Sequence, residues 1–423
     1  MKVVYFQQVP YRHFAPDFEA NFESVVTTPY RLVRPELVAA DYRNALDELM
    51  HAARAGFDGL ALTEHGQCSY DMMPNPDLFQ AALAYATETE GLPVAIYPVG
   101  RSLGKTREPL RVAEELAMLD CMSNGRLVSG FPLGLTYDAN INNGVPPSQT
   151  RARFDENLEL VLKAWTAKDP FPWNGKFAQH YAVNIWPRPI QRTPHPPVWI
   201  TGSGSPGTMR FVLERGFGFN SFGSFGYREA GARIFGKFWD MADEIGEERN
   251  PYRLGVVQNI CVAPTDAEAE RLFSEHIEYF YRKSFGSVAG ERMVLPGQVD
   301  IRGLEAMAKN PSTVDMSASM KTAKFADLIK IGAVFCGSPA TVLDQILDIA
   351  RTYRIGNLMP MFQLGSMPHE LVKSSIDLFA SSVLPHLRDV WASEDYRHEW
   401  WPERLGGAAR RQKHHSLDGA VAT

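Results

Sequence analysis

The chain has 423 residues, of which 45% are hydrophobic and 22% are charged, and its formal net charge at pH 7 is −6. This composition is typical of a globular enzyme, and the acidic balance argues against a nucleic-acid partner, which would usually require a basic face. No apolar run reaches the roughly 20 residues that span a bilayer, so no membrane partner is predicted.

Strand-like and helix-like patterns alternate along the chain. The predicted strands cover residues 2–9, 57–62, 92–100, 126–131, 197–201, 217–222, 252–262 and 357–362. Each predicted strand is followed by a helix, and the predicted helices cover residues 41–56, 76–90, 109–122, 151–166, 206–215, 228–245, 267–282, 339–353 and 368–387.

The predicted strands are apolar without clear alternation, which is typical of parallel strands covered on both faces. Strand–helix alternation predicts an α/β fold with a parallel sheet. Eight strand–helix units favour a closed (β/α)8 TIM barrel over a doubly wound sheet, and the pattern alone leaves both open. We assign residues 1–403 to this single domain.

Two insertions interrupt the alternation, after the fourth and the seventh predicted strands. The first, residues 171–189, contains Asn174-Gly175, a turn signal that predicts a small hairpin. The second, residues 284–331, is rich in Gly, Ser, Met and Lys without clear periodicity, and we interpret it as a mobile lid. The tail, residues 404–423, has few large apolar residues and is predicted to be flexible.

The cysteines, Cys68, Cys121, Cys261 and Cys336, are scattered along the chain. They form no CxxC pair and no Cys/His cluster at zinc-ligand spacing, so no metal site is predicted. The first residues lead directly into a strand-like segment and lack the apolar core of a signal peptide. We therefore expect a reduced, cytoplasmic protein.

In α/β barrels the chemistry takes place at the carboxyl ends of the strands, so the residues that follow each strand are the candidates. Glu64 and His65, which follow the second predicted strand, are the candidate catalytic residues. A histidine there can donate a hydrogen bond to developing negative charge or move a proton near neutral pH. The alternative is that Glu64 and His65 only fix their loop.

A glycine-rich and proline-rich segment follows the fourth predicted strand and begins at Gly130. A glycine at this exit would let a flat ligand approach the backbone closely. Without further context, an ordinary tight turn is the simpler interpretation.

The segment 201–208, after the fifth predicted strand, leads into a helix. The free N–H groups and positive dipole end of a helix N-terminus suit an anion such as phosphate. The candidate phosphate ligands in this segment are Gly202, Ser203, Gly204, Ser205 and Thr208. The alternative is simple helix capping by one of the two serines.

This segment also matches the dinucleotide pattern GxGxxG, but a Rossmann site is not predicted. The next strand carries Asn220 and Ser221 where a ribose-binding acid would be expected. Arg151 and Arg153 open the fourth predicted helix, and the guanidinium of Arg151 could reach a phosphate or a substrate acid. Surface solvation is the alternative for either arginine.

Residues 107–126, REPLRVAEELAMLDCMSNGR, resemble the signature helix of luciferase-like monooxygenases. Members of that family carry P-x-x-x-A-E-x-x-A-x-L-D-x-x-S-x-G-R at this place. Supporting matches lie at residues 63–65, 151–156, 196–200, 201–207, 336–339 and 378–385.

The resemblance implies a (β/α)8 barrel with a flavin at its carboxyl-terminal mouth. In flavin-using relatives a separate reductase delivers reduced FMN, which reacts with O2 to give a C4a-peroxyflavin that oxygenates the substrate. Carried over by position, the resemblance places His65 near the flavin ring and assigns the flavin phosphate to Ser205 and Thr208, helped by Arg151. Such chemistry requires the exclusion of water, which the lid at 284–331 could supply.

Two residues depart from the family pattern. Leu133 stands where some relatives have a basic phosphate ligand, which shifts phosphate binding towards backbone donors and Arg151. Pro132 stands where luciferase itself has a cysteine, which argues against luminescence.

The leading hypothesis is a two-component, FMN-dependent monooxygenase that acts on a small, moderately apolar organic molecule. The first alternative is an F420-dependent oxidoreductase that transfers hydride on the same barrel. The second is a non-catalytic flavin-binding accessory protein. Members of the family commonly pair through barrel helices, so the resemblance also implies a homodimer.

Overall fold

The computed structural model describes residues 1–15, 28–224, 226–285 and 322–409, and a parallel sheet forms the centre of this part of the chain. The strands are β1 (Lys2–Gln7), β2 (Gly59–Leu62), β3 (Ala95–Pro98), β4 (Ser129–Gly130), β5 (Phe171–Asn174), β6 (Gln179–Val183), β7 (Val198–Thr201), β8 (Gly218–Phe222), β9 (Leu254–Val262), β10 (Val334–Gly337) and β11 (Asn357–Met361).

Helices surround this sheet. The α-helices are α1 (Pro35–Arg54), α2 (Pro76–Thr89), α3 (Pro109–Met122), α4 (Pro147–Thr166), α5 (Pro206–Glu214), α6 (Tyr227–Gly231), α7 (Lys237–Glu244), α8 (Asp266–Tyr279), α9 (Phe325–Ile331), α10 (Pro339–Tyr353), α11 (His369–Ser382) and α12 (Leu384–Leu387). Wider π-helical turns cover Tyr137–Asn142, Ala232–Gly236 and Phe280–Phe285. Within the described residues, no helix combines the length and the apolar character needed to cross a membrane.

Eight of the strands form a parallel barrel. They are hydrogen-bonded in the order β3-β2-β1-β11-β9-β8-β7-β4. The two ends of this order meet, because Ile96 N donates to Arg126 O and Val128 N donates to Ile96 O, each at 2.9 Å. The (β/α)8 barrel predicted from the sequence is therefore confirmed, and all strand carboxyl ends lie at one mouth.

One strand was missed by the sequence analysis, which assigned no element between residues 331 and 339. β10 pairs in parallel with the second half of β9, from Val334 opposite Asn259 to Gly337 opposite Val262. A run of four apolar residues next to a long irregular segment is too short for periodicity to identify.

The two insertions differ in how much of them is described. The first contains β5 and β6, which pair antiparallel around the Asn174-Gly175 turn. Most of the predicted lid, residues 284–331, lies outside the described residues, but its last part forms α9 and buries Leu328. Of the predicted tail, residues 404–409 are described and 410–423 are not.

Helix boundaries differ from the predicted ones mainly at N-termini. α1 begins at Pro35 and α4 at Pro147, several residues before the predicted starts at 41 and 151. Both helices have proline at the first helical position, where its fixed φ and missing N–H are tolerated. Arg151 therefore lies in the second turn of α4 rather than at its start.

The family-like segment 107–126 forms α3 and the turn that follows it, at the amino-terminal end of the barrel. Arg126, which closes this segment, is 1% exposed. Its guanidinium donates to three carbonyl oxygens, those of Ala84 at 3.2 Å, Val94 at 2.6 Å and Ser123 at 2.9 Å. The last residue of the pattern that carries the resemblance thus has a structural role at the amino-terminal end of the barrel.

Candidate functional site at the barrel mouth

Loops that follow three neighbouring strands converge at the carboxyl-terminal mouth. His65 follows β2 and is fixed by its backbone N–H, which donates to Met73 O at 2.9 Å. Lys105 follows β3, and Tyr137 and Asp138 follow β4. Because these strands are neighbours around the closed barrel, side chains distant in sequence meet at one place. We refer to His65, Tyr70, Lys105, Tyr137 and Asp138 as the mouth cluster.

His65 is held on one side of its ring. The hydroxyl of Tyr137 lies 3.2 Å from Nδ1 of His65, and Oδ2 of Asp138 lies 3.8 Å from the same nitrogen. The Tyr137 hydroxyl also donates to the hydroxyl of Tyr70 at 2.6 Å. The ring of Tyr70 packs against the imidazole with centroids 5.2 Å apart. His65 is therefore oriented by contacts to Nδ1 and to one ring face.

A π-helical turn, Tyr137–Asn142, presents two consecutive residues to His65. Such wide turns are frequent at functional sites. The turn is tied to the His65 loop, because Asn142 Nδ2 donates to Gly66 O at 3.4 Å and Gln67 Nε2 donates to Asn142 O at 3.1 Å. The relative placement of Tyr137 and His65 is thus fixed from both sides.

Glu64 and Lys105 belong to a buried ion network beside the imidazole. Lys105 Nζ lies 3.1 Å from Oε1 of Glu64 and 2.8 Å from Oδ2 of Asp138. Arg101 contacts the other oxygen of Glu64 at 3.2 Å and Glu115 at 2.9 Å, and it also contacts Asp77. Glu64 therefore orders the mouth through Lys105 and Arg101. In the described part of the chain, its carboxylate makes no hydrogen bond or ion pair with the His65 ring.

The environment keeps His65 neutral. Burial, with a contribution from the positive charge of Lys105, lowers the pKa of His65 from 6.5 to about 3. Burial also lowers the affinity of Lys105 for its proton, but Glu64 and Asp138 outweigh this and raise the pKa of Lys105. Because the charge of Asp138 is matched by Lys105, that carboxylate orients the imidazole without stabilising its protonated form.

A second group of residues lies at the N-terminus of α5, where phosphate binding was predicted. Ser205 caps the helix, accepting from Thr208 N at 3.4 Å, and its hydroxyl donates to Thr208 Oγ1 at 2.9 Å. Arg151 Nη2 donates to the same Thr208 oxygen at 2.7 Å. Gly204 has a φ of +86°, a conformation that favours glycine. The structure therefore brings Arg151, Ser205 and Thr208 together at one helix N-terminus.

Other residues predicted to bind a cofactor have structural explanations or lie apart. Gly202 N donates to Asn220 O at 3.0 Å, and Ser221 Oγ donates to Gly202 O at 2.8 Å, so the backbone of Gly202 joins β7 to β8. Ser203 is exposed beside the cap. A Cβ on Gly130 would lie 2.4 Å from the Cα of Val99, so Gly130 allows close packing of β3 against β4.

Most of the mouth cluster was not predicted from the sequence. The candidates came from the carboxyl ends of the second, fourth and fifth predicted strands, and the candidate after the fourth was Gly130. Continuing past β3 and β4 by the same rule would have reached Lys105, Tyr137 and Asp138. Their contact with His65 depends on the π-helical turn, which no short pattern indicates. Within the described ranges, no three His, Cys, Asp or Glu side chains are placed to hold a metal ion.

Comparison with known proteins gives a family. A family model described as luciferase-like monooxygenase matches residues 22–354. Uncharacterised proteins of Mycobacterium tuberculosis and Mycobacterium bovis are 30% identical over 107 residues, so the match spans 25% of this chain and 37% of the length of those relatives. The oxygenase component of a flavin-dependent trigonelline monooxygenase from Acinetobacter baylyi is 24% identical over 64% of this chain and 72% of that protein.

Solved structures agree with the barrel. The oxygenating constituent of 3,6-diketocamphane monooxygenase from Pseudomonas putida, in complex with FMN, superposes with a TM-score of 0.65 at 20% identity, covering 91% of this chain and 98% of that one. An F420-dependent secondary alcohol dehydrogenase gives a TM-score of 0.64 at 16% identity, covering 92% and 99%. At these identities the likenesses establish the fold alone.

Proposed function

The chain belongs to the luciferase-like monooxygenase family, and on this basis we propose that it is the oxygenase of a two-component system. It takes reduced FMN from a separate reductase and uses O2 to oxygenate a small, moderately apolar organic substrate. The names of two relatives support this proposal, since the trigonelline enzyme is a flavin-dependent oxygenase component and the diketocamphane enzyme binds FMN.

The observation that carries the proposal is the contact between Arg151 and Thr208 at the N-terminus of α5, 2.7 Å long. The groups gathered there are a guanidinium, hydroxyls and the free N–H groups of a helix start, all of which can donate to an anion. The Arg151 side chain is 35% exposed, and among the described residues its ion-pair partner is Asp155, at 3.8 Å. A Cβ placed on Gly207 would meet no atom of the described residues within 4 Å, so the space beside this glycine is open. This donor set fits a phosphate monoester such as that of FMN.

The remaining residues prepare the mouth for oxygenation. When bound, the reduced flavin supplies the electrons and, with O2, the oxygenating reagent. His65 stays neutral and offers its Nε2 edge to the bound molecules. Tyr70 and Tyr137, 9% and 1% exposed, exclude water from the Nδ1 side of the ring. Glu64 holds Lys105, which in turn matches the charge of Asp138.

A second candidate function is F420-dependent hydride transfer. The fold is shared with the F420-dependent alcohol dehydrogenase at nearly the same TM-score as with the FMN enzyme. A cradle of phosphate donors suits either cofactor, because both carry a phosphate on the ribityl chain. The two functions differ in their use of O2, which provides the test.

We also propose a homodimer. Leu78 and Tyr85 on α2 are 72% and 71% exposed, and Met118 and Met122 on the adjacent α3 are 51% and 43% exposed. Their spacings of seven and four place each pair on one helix face, and exposed apolar patches of this kind mark association surfaces. Sedimentation equilibrium at micromolar concentration should give twice the mass of the chain. The four free cysteines support a reducing compartment, the cytoplasm.

The test is an anaerobic fluorescence titration that compares reduced FMN with reduced F420, followed by admission of oxygen-18-labelled O2 and candidate substrates. The proposal predicts preferential binding of reduced FMN, consumption of O2 and oxygen-18 in the product. Binding of F420 alone, without O2 consumption, would assign the chain to hydride transfer. Flavin binding without O2 consumption for any substrate would identify an accessory protein.

A further inference from the structure

The hydrogen-bonding groups around Nδ1 of His65 determine which ring nitrogen carries the proton. The hydroxyl of Tyr137 has one hydrogen, and it is donated to the hydroxyl of Tyr70 at 2.6 Å. Tyr137 therefore meets Nδ1, 3.2 Å away, with an oxygen lone pair. A lone pair on Nδ1 would face that oxygen unfavourably, whereas an N–H would donate to it.

Asp138 leads to the same assignment independently. Its Oδ2 lies 3.8 Å from Nδ1, so a second acceptor faces the same nitrogen. Lys105, 2.8 Å from that oxygen, neutralises the carboxylate charge, so the carboxylate does not favour a second proton on the imidazole. Two acceptors, the Tyr137 hydroxyl oxygen and the Asp138 carboxylate, therefore face Nδ1, and Lys105 neutralises the carboxylate charge. This arrangement favours a neutral ring that is protonated at Nδ1.

We propose that Tyr137, held by Tyr70, is a positioning residue that fixes His65 in the Nδ1–H tautomer and so presents Nε2 to the bound molecules as a hydrogen-bond acceptor. Within the residues that the structure describes, Nε2 has no hydrogen-bond partner. The bound group opposite Nε2 must then be a donor. Reduced flavins and hydroxyl-bearing substrates offer N–H or O–H groups, whereas a carbonyl or carboxylate offers none. This inference rests on the proposed function only for the identity of that donor.

The low pKa of His65, about 3, agrees with this arrangement because the ring then remains neutral throughout the physiological range. An acceptor that stays neutral can hold a donor in place without removing its proton. Tyr137 acts on the reaction only through His65, so its role must be tested on the state of the imidazole.

The test is nitrogen-15 NMR of the imidazole rings in the full-length, flavin-free protein labelled with nitrogen-15 histidine. The His65 signals are assigned as those that His65→Gln removes. The wild type is expected to show a protonated, pyrrole-type shift for Nδ1 and a pyridine-type shift for Nε2, unchanged between pH 8 and pH 5.

Two variants separate positioning from packing. In Tyr70→Phe, Tyr137 loses the acceptor of its hydrogen and can turn it to Nδ1, so the His65 signals should shift towards the Nε2–H tautomer. In Tyr137→Phe, Nδ1 keeps only the distant Asp138, and a mixture of tautomers is expected. Tyr70→Phe alone suffices if Tyr137→Phe does not fold.

An Nε2–H tautomer in the wild type would overturn the proposal, as would His65 signals that neither variant changes. Because no flavin is present, these outcomes are independent of the cofactor titration described above. A failure of the tautomer assignment can therefore be distinguished from a failure of the proposed function.

Discussion

At the amino-terminal end of the barrel, Arg126 places its charge among neutral backbone oxygens, those of Ala84, Val94 and Ser123. It also contacts one carboxylate, that of Glu88, which lies 3.2 Å away and is 36% exposed. At the carboxyl-terminal end, Lys105 places its charge between two carboxylates, those of Glu64 and Asp138. Both side chains are almost fully buried, at 2% and 8% exposure.

The two regions use buried charge for different purposes. The guanidinium of Arg126 donates mainly to carbonyl oxygens, which do not titrate, and the Glu88 carboxylate that it also contacts is 36% exposed and therefore screened by water, so Arg126 chiefly fixes the turn after α3. A lysine among carboxylates and beside an imidazole shifts the pKa values of its neighbours, and perturbed pKa values are typical of functional sites. The comparison suggests that Arg126 serves stability and that the mouth cluster serves chemistry.

The largest expected effect tests whether Arg126 stabilises the fold. Arg126→Met keeps most of the side-chain volume but leaves buried carbonyl oxygens without their donor. We expect a loss of about 3–5 kcal/mol in the free energy of unfolding, measured by urea denaturation. The affinity of the folded fraction for reduced FMN should not change.

Arg404→Met is the matched control for Arg126→Met. Arg404 donates to Asn124 O at 2.9 Å and to Glu88 at 2.8 Å in the same region, but its side chain is 42% exposed. We expect less than about 1 kcal/mol from this change. Equal losses in the two variants would show that burial of the Arg126 guanidinium has no special role.

The same contrast explains what the sequence could predict. The segment that identified the family forms one helix and the turn after it, and it ends in the buried Arg126. Because these residues are consecutive, a linear sequence pattern describes them well. Strand–helix alternation predicted a parallel sheet and favoured a barrel, and the family resemblance implied the closed barrel. The grouping of Arg151 with Ser205 and Thr208 followed from the family resemblance together with the suitability of a helix N-terminus for an anion.

The mouth cluster could not be predicted in the same way. His65 was found because it directly follows a strand, but its partners come from other loops, and Tyr137 reaches it only through a π-helical turn. The catalytic role predicted for Glu64 beside His65 stays a prediction, and the contacts of its carboxylate with Lys105 and Arg101 were not predicted. Contacts between loops depend on the closed barrel, and no spacing within one segment encodes them.

The next effect, in order of size, concerns the phosphate cradle. Arg151→Ala removes a charge-assisted donor from the helix N-terminus and should weaken FMN binding by about 1.5–3 kcal/mol, or roughly 10- to 150-fold in Kd. Riboflavin, which lacks the phosphate, should bind both proteins equally. Fluorescence titration with each flavin measures the difference.

Arg153→Ala is the control for Arg151→Ala, since Arg153 lies two residues further along α4 and stacks on Phe177 at 4.6 Å instead. It should leave FMN affinity within about twofold of the wild type. If Arg151→Ala weakens riboflavin and FMN to the same extent, the arginine shapes the mouth and does not bind phosphate.

The smallest expected effect tests the lowered pKa of His65 in the mouth cluster, through the pH dependence of stability. The pKa of His65 is about 3 in the folded chain and 6.5 when exposed, so between these values the unfolded chain binds a proton that the folded chain does not. Stability must therefore fall as the pH falls from 6.5 towards 3. His65→Gln removes this loss. The free energy of unfolding of the variant minus that of the wild type should therefore increase by about 2 kcal/mol between pH 7 and pH 5.

Other groups around His65 titrate as well, but they are common to both proteins. Burial raises the pKa of Asp71 from 3.8 to about 7, so Asp71 adds stability as the pH falls and opposes the effect of His65. Glu64, Lys105 and Asp138 likewise remain in wild type and variant, so the difference between the two unfolding curves isolates His65. His386→Gln, which removes an exposed histidine of α12, is the control for the loss of a histidine elsewhere in the chain. If the difference in the free energy of unfolding between His65→Gln and the wild type stays flat between pH 7 and pH 5, His65 takes up a proton in the folded chain as readily as in the unfolded chain. The mouth cluster would then not perturb the protonation of His65, and its contrast with the region around Arg126 would fail.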